Sequence, residues 1–287
     1  MQSARRRTHQ SCYTVALEFF WMEPLRLIME LELSTLLLLA LVGLVAGFVD
    51  SIAGGGGLIS IPALLATGMP PTMALATNKL QSSFGAFSAT LYFYRRGLIN
   101  LKEMRLAILC TFVGSAFGTL VVQQIDASQL SRILPFLLAA FACYFLFSPR
   151  VSDEDSHRRM TENTFAFLIG TSVGFYDGFF GPGTGSFFAV AFVALAGYGI
   201  ARATAHTKLL NLTSNLASLL FFAIGGQVLW VIGLTMACGQ ILGARLGSRL
   251  VVSKGVKIIR PLLVVVSLAM SVRLLWQAHP EWFVWPF

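Results

Sequence analysis

The chain has 287 residues, of which 56% are hydrophobic and only 12% charged, and its mean hydropathy is +0.73. Soluble domains carry about 25% charged residues, so this composition excludes a water-soluble surface. The net charge of +8 does not point to nucleic acid, because the basic residues sit in connectors between apolar runs and form no stripe with exposed aromatics.

Residues 1–28 match the rest poorly. Arg5 to Arg7 followed by Val15 to Met22 outlines a signal peptide, but Glu18 interrupts the apolar stretch and no small-residue cleavage site follows. An upstream extension is expected there, with the functional chain beginning near Met29. A spanning helix needs roughly 20 apolar residues, and the runs from Leu33 onward supply spans or their cores. A first transmembrane repeat is expected over 29–148, with segments near 33–52, 57–68, 72–94, 104–123 and 130–147. A cytoplasmic linker over 149–161 follows. The second repeat, 162–278, has segments near 164–180, 183–197, 202–224, 228–250 and 259–276, and 279–287 is a tail. Cys12, Cys110, Cys143 and Cys238 have no metal-ligand spacing and read as small buried hydrophobes. No metal or cofactor is expected.

The repeats show in the residues. Gly47-Phe48-Val49-Asp50 returns as Gly174-Phe175-Tyr176-Asp177, an offset of 127, and each copy precedes a glycine-rich run, Gly54-Gly55-Gly56-Gly57 and Gly181-Pro182-Gly183-Thr184. Asn78-Lys79-Leu80 then matches Thr207-Lys208-Leu209, Gly97 matches Gly226, and Gly114 with Gly118 matches Gly243 with Gly247. Charge orients the copies. Arg95, Arg96, Lys102 and Arg105 crowd one loop, whereas its counterpart Gly225-Gly226-Gln227 has no charge; for the next pair, Gln123 to Arg132 is nearly neutral and Arg249 to Arg260 is basic. Lys and Arg favour the cytoplasmic side, so equivalent loops face opposite sides. The fold class expected is an all-α polytopic membrane protein of two inverted repeats, about five helical segments each, with glycine-broken helices and both termini outside.

Glycine costs about 1 kcal/mol per helical position relative to alanine, so four in a row break a helix. In lipid such a break must be covered or line a cavity, and its free N–H groups suit an anion. Gly114-x-x-x-Gly118 and Gly243-x-x-x-Gly247 read instead as close helix packing. Gly181-x-Gly183-x-Gly185 has neither the preceding strand nor the lysine of a nucleotide loop. Lys79 and Lys208 each lie about seven residues into a helix, roughly 10 Å deep. A lysine there costs on the order of 3 kcal/mol to insert, which favours a cavity or a partner over the alternative of snorkelling. Asn78, Gln81, Ser82, His206, Thr207, Asn211 and Asn215 flank the lysines with hydrogen-bonding groups. Asp50 and Asp177 precede the breaks, where each can pair with Lys or Arg245, relay a proton, or cap the next half-helix. An aspartyl protease would need both carboxylates in contact, which inverted repeats oppose.

Gly47 to Gly57 with Ala76-Thr77-Asn78-Lys79-Leu80-Gln81, and Gly174 to Pro182 with Ala203-Thr204-Ala205-His206-Thr207-Lys208, resemble the TauE/SafE family of bacterial membrane transporters, specifically its YfcA-like branch. The resemblance covers about residues 33–276. It implies a multi-pass protein of the bacterial inner membrane exporting small, often sulfur-containing anions. The expectation is therefore a secondary transporter of a small organic or sulfur anion working by alternating access, and not an enzyme. Lys79, Lys208 and the breaks would hold the anion, and Asp50 or Asp177 would couple protons. A passive anion channel and an intramembrane aspartyl protease are the alternatives. The partners expected are a small anionic substrate and the lipid bilayer, without nucleic acid, and the sequence leaves room for a homo-oligomer.

Overall fold

A computed structural model describes residues 32–126, 128–130, 132, 133, 136 and 157–254. The expected segment at 259–276, most of that at 130–147, Cys12, Cys143 and the extension 1–28 lie outside them. Among the described residues all regular structure is helical: α1 Leu33–Ala53, α2 Gly57–Leu65, α3 Pro71–Arg95, α4 Arg105–Val122, α5 Glu162–Phe165, α6 Thr171–Phe179, α7 Thr184–Ala194, α8 Ile200–Ile224 and α9 Trp230–Lys254. A π-helical turn, Ala166–Gly170, joins α5 to α6.

Polarity is inverted relative to a soluble protein. Lys79, Gln81, Asp177, His206, Lys208 and Gln240 are buried, whereas Leu37, Leu109, Phe117, Phe167 and Leu220 are exposed. Such an arrangement is stable only where the surroundings are apolar. Helices α1, α4 and α8 are long and apolar enough to cross a membrane. At nine and eleven residues, α2 and α7 measure roughly 13 and 16 Å and are too short to cross alone.

Local chemistry sets the ends. Gly54 terminates α1 in the left-handed region, φ 75°, with its N–H on the Asp50 carbonyl. In the other half Gly181 and Gly183, at φ 97° and 84°, flank Pro182 between α6 and α7. Pro71 occupies the first turn of α3, where its missing N–H costs nothing.

Two glycine seams hold the bundle together. Along α1 and α9, Gly43 faces Met236, Gly47 faces Gln240, and Gly247 faces Phe48 and Ser51, so the helices run parallel. Along α4 and α6, Gly170 faces Ala107, Gly174 faces Thr111 and Gly178 faces Ser115, again in parallel. These contacts are backbone to backbone at close range: a Cβ on Gly243 would lie 1.9 Å from the Leu44 carbonyl oxygen, and one on Gly118 2.1 Å from that of Phe175. The packing role read for the Gly-x-x-x-Gly pairs is what the structure shows.

Other contacts fix the remaining directions. Thr77 accepts the Leu229 N–H at 3.2 Å, Leu80 packs on Gly233, and Ser88 donates to the Ile241 carbonyl, so α3 runs with α9. Ser115 reaches Ser214 and Ser218 while Gln123 meets Gly225, so α4 runs with α8. Glu103, just after α3, pairs with Arg202 at the start of α8, while Leu229, just after α8, binds Thr77 near the start of α3. Helices α3 and α8 are therefore antiparallel. Since α1 and α3 run the same way, the chain from Gly54 to Pro70 returns to the end where α1 begins; Gly56 lies against Ala46 and Asp50, and Leu64 clusters with Leu39. One end of the bundle thus gathers Arg95, Arg96, Lys102, Arg105, Arg158, Arg159, Arg202 and Arg249.

Candidate functional site

The two breaks meet in the middle. Gly54 abuts Gly185 so closely that a Cβ on Gly54 would lie 2.4 Å from the Gly185 Cα, and Ser186 donates its hydroxyl to the Ala53 carbonyl. Gly57 rests on Pro182. In this conformation the glycine runs cover each other.

Each half sends a lysine to the other half's break. Lys79 Nζ, on α3, lies 2.9 Å from Asp177 Oδ1 and also donates to the Asp177 main-chain carbonyl. Lys208 Nζ, on α8, lies 2.9 Å from Asp50 Oδ2 and donates to the Asp50 carbonyl. Both lysine side chains are 1–2% exposed. Two charges at that depth tolerate burial only because each ammonium finds a carboxylate and a helix-end carbonyl. Of the two expected surroundings for the lysines, a cavity or a partner, the structure supplies the partner. The carboxylates cap as well: Asp50 Oδ1 accepts the Gly56 N–H at 3.3 Å, and Asp177 Oδ1 accepts the Thr184 hydroxyl at 2.7 Å. Pairing and capping, set out as alternatives, coexist, and the partner of Asp50 is Lys208 rather than Arg245. Because each aspartate is held by a different lysine, they form no dyad of the kind a protease requires.

The flanking polar residues divide. Asn78 Oδ1 receives Ser60 at 2.5 Å and the Gln81 amide at 2.8 Å. Asn215 donates to Asn211 at 2.9 Å, one turn apart on α8. Thr207 is buried with no partner for its hydroxyl among the described residues, and Ser82 is half-buried. His206 points away from Lys208, into an aromatic pocket formed by Tyr198 and Phe192, with Nδ1 on the Arg202 carbonyl. Arg202 stacks 4.0 Å from the Tyr198 ring centroid and reaches Glu103 at 3.6 Å, which ties the two halves at the basic end. Cys238 is exposed, against the expectation of burial, while Cys110 is buried.

Sequence reasoning passed over Ser60, Thr184 and Gln240. Gln240 is 1% exposed with both amide atoms unpartnered among the described residues, wedged against Gly85 and Gly47. The signal was available: a glutamine inside an apolar run is costly in lipid and so marks a position under constraint.

Comparisons with known proteins agree with this architecture. The profile of the family described as "Sulfite exporter TauE/SafE" matches residues 39–274. The chain is 55% identical over 240 residues to the "Probable membrane transporter protein YfcA" of Escherichia coli (strain K12), covering 84% of this chain and 89% of that protein. It is 49% identical over 255 residues to a "Probable membrane transporter protein" of Haemophilus influenzae, covering 89% and 99%. A more distant relative, YdhB of Bacillus subtilis, is 24% identical over 217 residues. No solved structure matches significantly.

Proposed function

Since this chain belongs to the TauE/SafE family of membrane transporters, we propose that it is a secondary transporter exporting small sulfur-containing or organic anions across the bacterial inner membrane by alternating access. The reading rests on one observation: the broken helices of each half are locked to a buried lysine of the other.

Helix direction supports two inverted halves. Helices α1, α3 and α9 run one way and α4, α6 and α8 the other, so each helix of the first half opposes its counterpart in the second. Basic residues at one end favour placing that end, and with it the 149–161 linker, in the cytoplasm. Rocking one half against the other would part Gly54 from Gly185 and open the centre. An anion entering there would meet Lys79 and Lys208, Asn78, Gln81, Ser82, Thr207, Asn211 and Asn215, and the freed N–H groups of Gly54 to Gly57 and of Gly181 and Gly183. His206, committed to the aromatic pocket, would act from behind the site. The energy source in this reading is an ion gradient or the anion's own, with Asp50 or Asp177 as proton carrier.

The test is saturable counterflow in proteoliposomes with a panel of small anions, radiolabelled sulfite first. Lys79→Ala and Lys208→Ala are expected to abolish flux while the protein still inserts. Undiminished flux in both variants would refute the assignment, and non-saturable flux in the parent protein would indicate a channel.

A further inference from the structure

The duplication makes Asp50 and Asp177 equivalent in sequence, but their surroundings differ. Asp50 uses both oxygens: Oδ1 takes the Gly56 N–H and Oδ2 takes Lys208. Asp177 takes both its donors on Oδ1: Lys79, and the Thr184 hydroxyl, whose one proton is shared between Oδ1 at 2.7 Å and the Gly181 carbonyl at 2.6 Å. Its Oδ2 is buried and has no partner among the described residues, in a side chain 2% exposed against 13% for Asp50. The difference has a source in sequence. At the offset of 127, Thr184 stands where the first half has Gly57. The second copy therefore caps with a side-chain hydroxyl, where the first uses a backbone N–H.

A buried anionic oxygen without a donor is among the least favourable arrangements in an apolar interior, and a neutral hydroxyl in the same place costs less. A proton placed on Asp50 would have to displace Lys208 or the Gly56 N–H. On Asp177 it has an oxygen to itself. We infer that Asp177 Oδ2 is the proton-binding atom of this protein, taking one proton while Oδ1 keeps both its donors. With that carboxyl neutral, Lys79 retains its charge with only the more distant Asp50, itself held by Lys208, to balance it, and becomes the group that draws an anion into the second half's break. This last consequence rests on the transport reading above; the proton site itself does not.

The neighbours leave no rival close by. Lys79 on α3 is the charged group facing the carboxyl, Asp50 on α1 acts on Lys79 from further off but is engaged by Lys208, and Tyr176 donates its hydroxyl to the Pro182 carbonyl. Helix α4 brings Cys110 only as far as Gly170, two turns before Asp177, and α7 carries no ionisable side chain. On α8, Lys208 is engaged with Asp50, and His206 turns to Arg202.

The experiment needs no substrate. Infrared difference spectra of the full chain in lipid, taken between neutral and mildly acidic pH, should show a protonated buried carboxyl that disappears in Asp177→Asn and survives in Asp50→Asn. Thr184→Val, which removes one donor from the ionised form, should change the midpoint of that band. The inference is overturned by a band that persists in Asp177→Asn, by its absence in the parent protein, or, should Asp177→Asn not fold, by a midpoint that ignores Thr184→Val. Counterflow measured on the same samples keeps a failure of the transport reading separate from a failure of the proton site.

Discussion

Replacing Lys79 with methionine tests the central pair directly. The substitution keeps most of the side chain's volume and removes the cation from a carboxylate 2.9 Å away, with both side chains 2% exposed. Removing one partner of a buried pair typically costs about 3–5 kcal/mol, because the remaining charge is left uncompensated. Asp177→Asn should cost less, since Lys79 also donates to the main-chain carbonyl at position 177, which the substitution retains. The combined variant leaves neither charge and should recover most of the loss, giving a large favourable coupling in a double-mutant cycle. The loss in Lys79→Met should also shrink on acidification, because a protonated carboxyl carries no charge to compensate. Equilibrium unfolding in mixed micelles, driven by rising SDS and followed by tryptophan fluorescence, would measure all four proteins. Singles as stable as the parent, or a double variant worse than either single, would show that the pair does not hold the bundle and would remove the physical basis of the site.

The second pair should behave similarly but more mildly: Lys208→Met leaves Asp50, at 13% exposure, with its Gly56 N–H, and its loss should be smaller than that of Lys79→Met in the same assay. Gly118→Leu should disrupt the α4–α6 seam, where overpacking costs about 1–3 kcal/mol or more, and a normal yield of monodisperse protein from that variant would contradict the packing described. Single cysteines at Gly97 and Gly226, in a background free of other cysteines, should label from opposite membrane faces; labelling from one face would overturn the inverted arrangement we propose. Arg202→Gln removes a half-exposed pair with Glu103, and such pairs contribute about 0–1 kcal/mol, so unfolding should move little; a large loss would mean that the contact is structural rather than a loose tie between halves.

Much of this architecture was legible in the sequence because its causes are local. Gly54 to Gly57 and Gly181-Pro182-Gly183 break helices wherever they occur in lipid, and the repeat spacing located both copies of the lysine. The pairing was not legible. Lys79 and Asp177 are far apart in the chain, and the sequence offers either aspartate to each lysine, and either lysine or Arg245 to each aspartate, with nothing to choose among them. The exchange follows from tertiary packing, α4 against α6 and α1 against α9, which residue patterns do not specify. The π-helical turn at Ala166–Gly170 likewise carries no glycine or proline signal at its start. Its registration is set by the α4 surface it lies on, where Gly170 meets Ala107 and Cys110.

The seam between α1 and α9 also bears on how the protein is made. The first described helix has its main docking face reserved for the last described one, so Gly43 and Gly47 stay uncovered until α9 has been translated. A chain truncated before Trp230 would leave α1 without its neighbour. Severing the linker near residue 155 should instead yield two fragments that are each degraded alone and accumulate only when produced together.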